Sequence, residues 1–303
     1  MNKTINFHDV KDIVWFDKTI NILKNKYTLV SAQDLESYYY HKKVLKNTCH
    51  ITVDDGDISF YTIIYPILKK YDVPATLFVS PKVLAEHSNF WFQEIRGYSS
   101  EFKEWIANYL KLELEPLDKY SVVSILKNLK IYDIWNIIDS YKKEYNIEDK
   151  KPQNMNIDQL LEVENSGLVT IGAHTLQHPI LHNETYNASE HEIIESINLL
   201  SNILNHEIKY FAYPNGQPNI DFSIREMNIL KKVNCKLAFS TESKNFTLKD
   251  NPFSIPRYGL SYGNESFIKM KLLFGEYWEK IKKIKSNGEN KSRSALISIM
   301  ELS

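Results

Sequence analysis

Residues 50–56, His50-Ile51-Thr52-Val53-Asp54-Asp55-Gly56, decide how the rest of the chain is read. A short run with β-branched residues ends abruptly on two acids and a glycine, as a buried strand does when it gives way to a turn. The period then changes. After Asp57, read as an N-cap, Phe60, Ile63, Ile64, Ile67, Leu68 and Tyr71 recur at the spacing that lines one helix face, and Pro66 is expected to kink or shorten that helix. Working outward, residues 4–7, 75–79, 168–171, 209–212 and 237–239 read as further strands, with helical patterns between many of them. Ser189 and Glu192 match a capping box ahead of a face carrying Ile193, Ile197, Leu200 and Leu204. Strand–helix–strand alternation implies parallel pairing through right-handed crossovers, hence an α/β barrel or a doubly wound sheet. Either arrangement gathers ligands at the carboxyl ends of the strands.

One stretch breaks the alternation. Residues 91–161 carry helical patterns only, such as Phe102, Trp105, Ile106 and Tyr109, then Ile131, Ile134, Trp135 and Ile138, and read as a helical insertion. Extra packing is its plainer use; a lid or partner surface is the other. A further amphipathic helix runs from about 267 to 284, and the Ser, Asn, Gly and Lys content beyond it suggests a mobile tail at 285–303, leaving residues 1–284 as a single domain.

Composition narrows the function classes. With 37 Lys plus Arg against 38 Asp plus Glu, there is no basic excess to collect nucleic acid or a membrane surface. An anionic carrier would need a local cationic face, which the sequence does not display. Cys49 and Cys235 are too few for a disulfide framework and read as buried thiols. Residues 1–16 include Lys3, Asp9, Lys11 and Asp12 and no long apolar run, so neither a signal peptide nor a transmembrane segment is expected, and the expected location is cytoplasmic.

The chemistry sits directly after strands. Adjacent acids such as Asp54 and Asp55 repel, and a fold that holds them together gains from a cation or a shared proton; an isolated Asp-Asp-Gly, though, is more often a solvated loop with a cap. The second cluster, His174-Thr175-Leu176-Gln177-His178-Pro179, follows the run 168–173. Two imidazoles four residues apart plus one carboxylate make the three-ligand set that leaves a zinc position open.

Together with residues 211–216, Phe211-Ala212-Tyr213-Pro214-Asn215-Gly216, these motifs resemble those of the polysaccharide deacetylase family of carbohydrate esterases. The resemblance implies an irregular (β/α) barrel with a helical insertion, and an enzyme that removes an N-acetyl group from an amino sugar in a glycan or glycan precursor. It implies Asp54 as general base and Asp55, His174 and His178 as ligands of a divalent metal: zinc first, with nickel, cobalt, ferrous iron or manganese as alternatives. The family's acid is a histidine near the C-terminal end of the domain, and none follows His206. In a circularly permuted arrangement that strand comes first, and Ile5-Asn6-Phe7-His8-Asp9-Val10 has its form, which makes His8 the acid.

Ala212 and Asn215 depart from the family's Arg-x-Pro-Tyr-Gly pattern. Arg257, in Ile255-Pro256-Arg257-Tyr258-Gly259, is the candidate for the missing charge, an ordinary surface arginine being the alternative. The oxyanion donor is expected among the backbone N–H groups of Tyr213 to Asn215. Expected substrates are N-acetylated oligosaccharides or lipid-linked or nucleotide-linked sugars. Other small amides or esters at the same site, or a catalytically silent sugar-binding protein, are the competing functions. His50 and the remaining histidines read as structural or exposed.

Overall fold

Strands β1 (Lys3–Phe7), β3 (Thr48–Val53) and β4 (Ala75–Val79) are buried at every position, the signature of parallel strands covered on both faces. The computed structural model of the chain describes residues 1–285 and 289–301. Helix α1 (Ile13–Lys26), the two-residue β2 (Thr28–Leu29) and helix α2 (Ala32–Tyr40) lie between β1 and β3. Helix α3 (Tyr65–Tyr71) leads into β4.

Asp57 caps the helical stretch after β3, its carboxylate accepting from the Ser59 N–H. Pro66 acts as expected in kind: having no N–H, it sits in the first turn of α3, and the preceding segment Phe60–Ile64 forms a wider π-type turn.

Further along come α4 (Pro81–Ala85), α5 (Trp91–Glu94), α6 (Ser100–Tyr109), α7 (Val122–Leu126), α8 (Ile131–Tyr145), α9 (Ile157–Asn165), β5 (Val169–Ala173) and α10 (Tyr186–Leu204). The chain continues through β6 (Tyr210–Ala212), α11 (Ile224–Lys232), β7 (Leu237–Phe239), β8 (Tyr258–Gly259), α12 (Glu265–Lys285) and α13 (Glu289–Glu301).

All strand pairs are parallel, in the order β7-β6-β5-β4-β3-β1-β8, with β2 beside the start of β3. The segment 252–259 links the two edges of this curled sheet. Its Ile255 exchanges hydrogen bonds with β7 through Ala238 and Ser240, while Tyr258 pairs with Ile5 of β1. Arg257 therefore sits just ahead of β8, in the link that bridges β7 and β1.

Three apolar clusters fill the molecule, the smallest gathering Ala32 and Leu35 of α2 with Phe78, Phe239 and Ile255. The largest joins the strands to α1, α3, α9, α10 and α11; the second is built from Trp91, Phe102, Ile106, Ile134, Ile138 and Tyr141 of the insertion. Two boundaries differ from the sequence reading. Leu160 and Val163 of α9 pack in the main core, so the separately packed helices are α5 to α8. Beyond residue 284, where a mobile tail was expected, α13 forms a helix whose Leu296 is buried in the insertion's cluster; a polar composition hid an amphipathic face.

The Ser189–Glu192 capping box is also corrected. Helix α10 starts earlier, with Thr185 as its N-cap accepting from Ala188 N–H, and Ser189 and Glu192 are buried inside it, turned to neighbouring segments. Cys49 and Cys235 are buried free thiols, as read. Among the described residues no helix is long and apolar enough to cross a membrane.

Candidate functional site

Register brings the motifs together. Phe7 pairs with Val53, Val53 with Leu77, and Val79 with Ala173, so His8, Asp54 and His174 each leave their strands at the same end of the sheet. Backbone strain marks the spot. Asp55, Thr175, His178 and Asn215 all adopt positive φ, between 55° and 75°, a region that costs non-glycine residues about 1–3 kcal/mol each. Gly56 is required beside them: its φ is +74°, and a Cβ there would meet Val79 Cγ1 at 3.1 Å.

Asp55 Oδ1 lies 3.6 Å from Nε2 of both His174 and His178. These contacts are too long for hydrogen bonds, and the buried Oδ1 has no hydrogen-bond partner among the described residues. Donors held about 2.1 Å from a tetrahedral centre stand about 3.4 Å apart, so the spacing suits an ion between them. His174 Nδ1 lies 2.7 Å from the Ala212 carbonyl, which can only accept, so Nδ1 carries the proton and Nε2 offers its lone pair inward.

Burial pushes the Asp55 carboxyl up; His8 and His174 offset this in part, and Asp54 and Asp57 add to it. Burial, with His174 and Lys127 next in weight, pushes the His178 imidazole well down, into the neutral form a ligand needs. An under-neutralised carboxylate facing the Nε2 atoms of two imidazoles fits a divalent cation. Among the described residues, this is the one cluster of such donors able to hold a metal ion.

Asp54 has the opposite environment. Arg257, fully buried, grips it with Nη1 at 2.7 Å from Oδ1 and Nη2 at 2.9 Å from Oδ2. Asn6 Nδ2 adds a third bond to Oδ2, at 2.9 Å. Burial pushes this carboxyl up, but Arg257, aided by His174 and His8, outweighs it and holds the group below the ordinary carboxylate range. His8 Nε2 stands 3.9 Å from Asp54 Oδ2 on a half-exposed side chain, at the edge of a cavity of about 500 Å³ that Asp55, His178 and Asn215 also line.

With these pieces in place, the comparison with known proteins is direct. Residues 41–108 and 118–238 match the family described as "Polysaccharide deacetylase". The chain belongs to that family. Poly-beta-1,6-N-acetyl-D-glucosamine N-deacetylases of Staphylococcus aureus, strains MSSA476 and COL, are 28% identical to it over 239 residues, covering 75% of this chain. The match spans 59% of the length of those relatives. Among solved structures, IcaB from Ammonifex degensii superposes with a TM-score of 0.61 at 17% identity, over 91% of this chain and 97% of that one. The Streptococcus pyogenes deacetylase PplD, in complex with acetate, gives 0.57 at 18% identity, over 86% and 91%. Those likenesses concern the fold, and they agree with the irregular barrel expected from the motifs.

Polysaccharide deacetylases are metal-dependent, and the Asp55–His174–His178 cluster is a site where this member can hold an ion. Arg257 is buried on Asp54, not on the surface as the alternative had it. Tyr213 is the one expected site residue that the structure turns away. Its ring is buried and stacked on Phe222, its hydroxyl donates to the Phe253 carbonyl, and its N–H is taken by Phe239 O of β7. Pro214 has no N–H, which leaves Asn215; neither its backbone N–H nor its buried Nδ2 has a hydrogen-bond partner among the described residues.

Several contributors escaped the sequence reading. Asn6 and Thr52 complete the Arg257 cradle, each accepting from Nη1 at 3.2 Å. Glu192 accepts from the Leu176 and Gln177 N–H groups at 2.9 and 3.1 Å, fixing the loop that carries both histidines. Trp91 and Phe92 wall the cavity, with Phe90 and Phe92 packing edge-on to His178. Polar residues within strands were the available signal for the first pair. For Glu192 the signal was present and pointed to a different role.

Proposed function

We propose that this protein is a metal-dependent hydrolase that removes an N-acetyl group from an amino sugar in a glycan or glycan precursor. The observation that carries this reading is the meeting of an unsatisfied Asp55 and two inward imidazoles beside a second carboxylate locked in its ionised form. The names of the Staphylococcus aureus relatives support N-acetylglucosamine polymers as the first substrates to try, with lipid-linked and nucleotide-linked sugars next.

Asp54 keeps one lone-pair direction open after Arg257 and Asn6 take the others, so it can receive a proton from water. A carboxylate so stabilised is a weak base. A divalent ion on Asp55, His174 and His178, zinc foremost, would supply the Lewis acidity that polarises the amide carbonyl and acidifies that water. Asn215 N–H, without a hydrogen-bond partner among the described residues, is the donor assigned to developing charge on the carbonyl oxygen, a role Tyr213 N–H cannot fill. His8, at the cavity edge and open to the glycan side, donates the proton without which an amine leaves poorly.

Acetate release from N-acetylglucosamine oligomers is the test. Asp54→Asn should lower it about 10²–10⁴-fold, and His174→Ala should abolish it. Undiminished release in either variant would sink the assignment.

A further inference from the structure

The insertion contributes more than apolar wall to the cavity. Arg96, just past α5, and Lys127, just past α7, line it together with Trp91, Phe92, Asp55 and His178. Arg96 is exposed and Lys127 partly buried, and neither cationic side chain makes an ion pair or hydrogen bond among the described residues, unlike the buried pairs Arg257–Asp54 and Lys142–Glu94. Asp55 is the one carboxylate among the lining residues, and an ion at its side would neutralise it. The chain's formal net charge is −1, so no general basic field explains two unmatched cations around one cavity. Both follow helix C-termini, where a cation is favoured. That accounts for their position along the helices and not for their shared cavity.

We propose that the insertion gives the site an anion-binding subsite, in which Arg96 and Lys127 receive a phosphate group carried by the acylated sugar. The proposal rests on the deacetylase reading for the sugar, and on these two residues for the phosphate. A planar guanidinium pairs bidentately with phosphate oxygens, and an ammonium adds a point charge from a second element, so a dianionic ester is held better than a neutral ring. The apolar face of Trp91 and Phe92 is left for the sugar ring. The insertion would thereby set which acyl sugars are accepted, while the barrel sets what is done to them.

Calorimetric titration of the full-length, metal-loaded protein with N-acetylglucosamine 1-phosphate and with N-acetylglucosamine tests this without relying on turnover. The phosphorylated sugar should bind roughly tenfold tighter or better at low salt, with the advantage shrinking as salt rises. Arg96→Gln combined with Lys127→Gln should erase the difference between the two ligands, and Lys127→Arg should retain it; thermal melting confirms that each variant folds. Equal affinity for the two sugars in the unaltered protein, or a preference that survives the double substitution, would overturn the subsite. Acetate release is scored separately. A cation-dependent preference with no release from either sugar would sustain the subsite and count against the deacetylase reading instead. A nucleotide diphosphate sugar and a phosphate-linked oligomer, run in parallel, identify which source of phosphate fits.

Discussion

Strand β3 carries a buried polar group near its start and is followed by two more just past its end, and they are satisfied in opposite ways. Near its start, His50 is fully buried and fully partnered: Nδ1 donates to the Val30 carbonyl at 2.8 Å, and Nε2 accepts from the Thr76 hydroxyl at 3.0 Å. Just past its end, Asp54 is held by Arg257 and Asn6, while Asp55 Oδ1 and, across from it, His178 Nδ1 have no hydrogen-bond partner among the described residues. Buried polar groups are almost always bonded, so the end left unsatisfied is the end built for something the chain does not itself contain. Strand β3 thus has a satisfied histidine near one end and an unsatisfied carboxylate past the other.

The largest expected effect comes from breaking the partnered half of the open end. Arg257→Leu strands the Asp54 carboxylate in the interior, and loss of one member of a buried pair costs about 3–5 kcal/mol; denaturant unfolding should show it. If Arg257→Leu unfolds like the unaltered protein, the grip on Asp54 is not what stabilises that region.

The finished end should reveal itself through pH. Burial, only partly offset by the Val30 bond, lowers the His50 pKa from 6.5 to about 4. The unfolded chain therefore takes up the proton first, and the neutral imidazole's contribution is intact above about pH 6.5 and is withdrawn as pH falls towards 4, amounting to about 3 kcal/mol. Thermal melting between pH 7 and pH 4 should show His50→Gln losing less stability over that interval than the unaltered protein. Identical pH profiles would mean that His50 is not held neutral.

A smaller effect sharpens the contrast at the open end. Burial raises the Glu192 pKa against the pull of its bonds to Gln177 and Leu176, and those bonds hold the loop between His174 and His178. Supports of this kind are worth about 10–100-fold in metal affinity. Glu192→Ala should weaken zinc binding to that degree in a competition titration, with His174 and His178 untouched; unchanged affinity would reduce Glu192 to ordinary packing.

What could be read from the sequence follows the same division. Asp54, Asp55, His8 and His174 were legible because they stand at the ends of apolar strand runs that parallel register aligns, and His178 because it lies four residues beyond His174. Arg257 was ambiguous because β8 is two residues long and its place is fixed by the nearby β7 together with β1, whose Asn6 lies 251 residues away in sequence.

Tyr213 was misassigned because strand-end position does not reveal that β7 claims its N–H. Glu192 was misread because Ser189-x-x-Glu192 fits a local capping pattern, and tertiary demand overrode it. Arg96 and Lys127 carried no local signal, since what singles them out is a shared cavity and the lack of a counter-charge.

The most direct test of the central claim is metal stoichiometry. Purified chain loaded with zinc and freed of excess should retain one ion per molecule by elemental analysis, and Asp55→Ala, His174→Ala and His178→Ala should each lose it while Asp54→Asn keeps it. No bound ion in the unaltered protein, or a full complement in any of the three ligand variants, would contradict a metal centre at this end of the barrel.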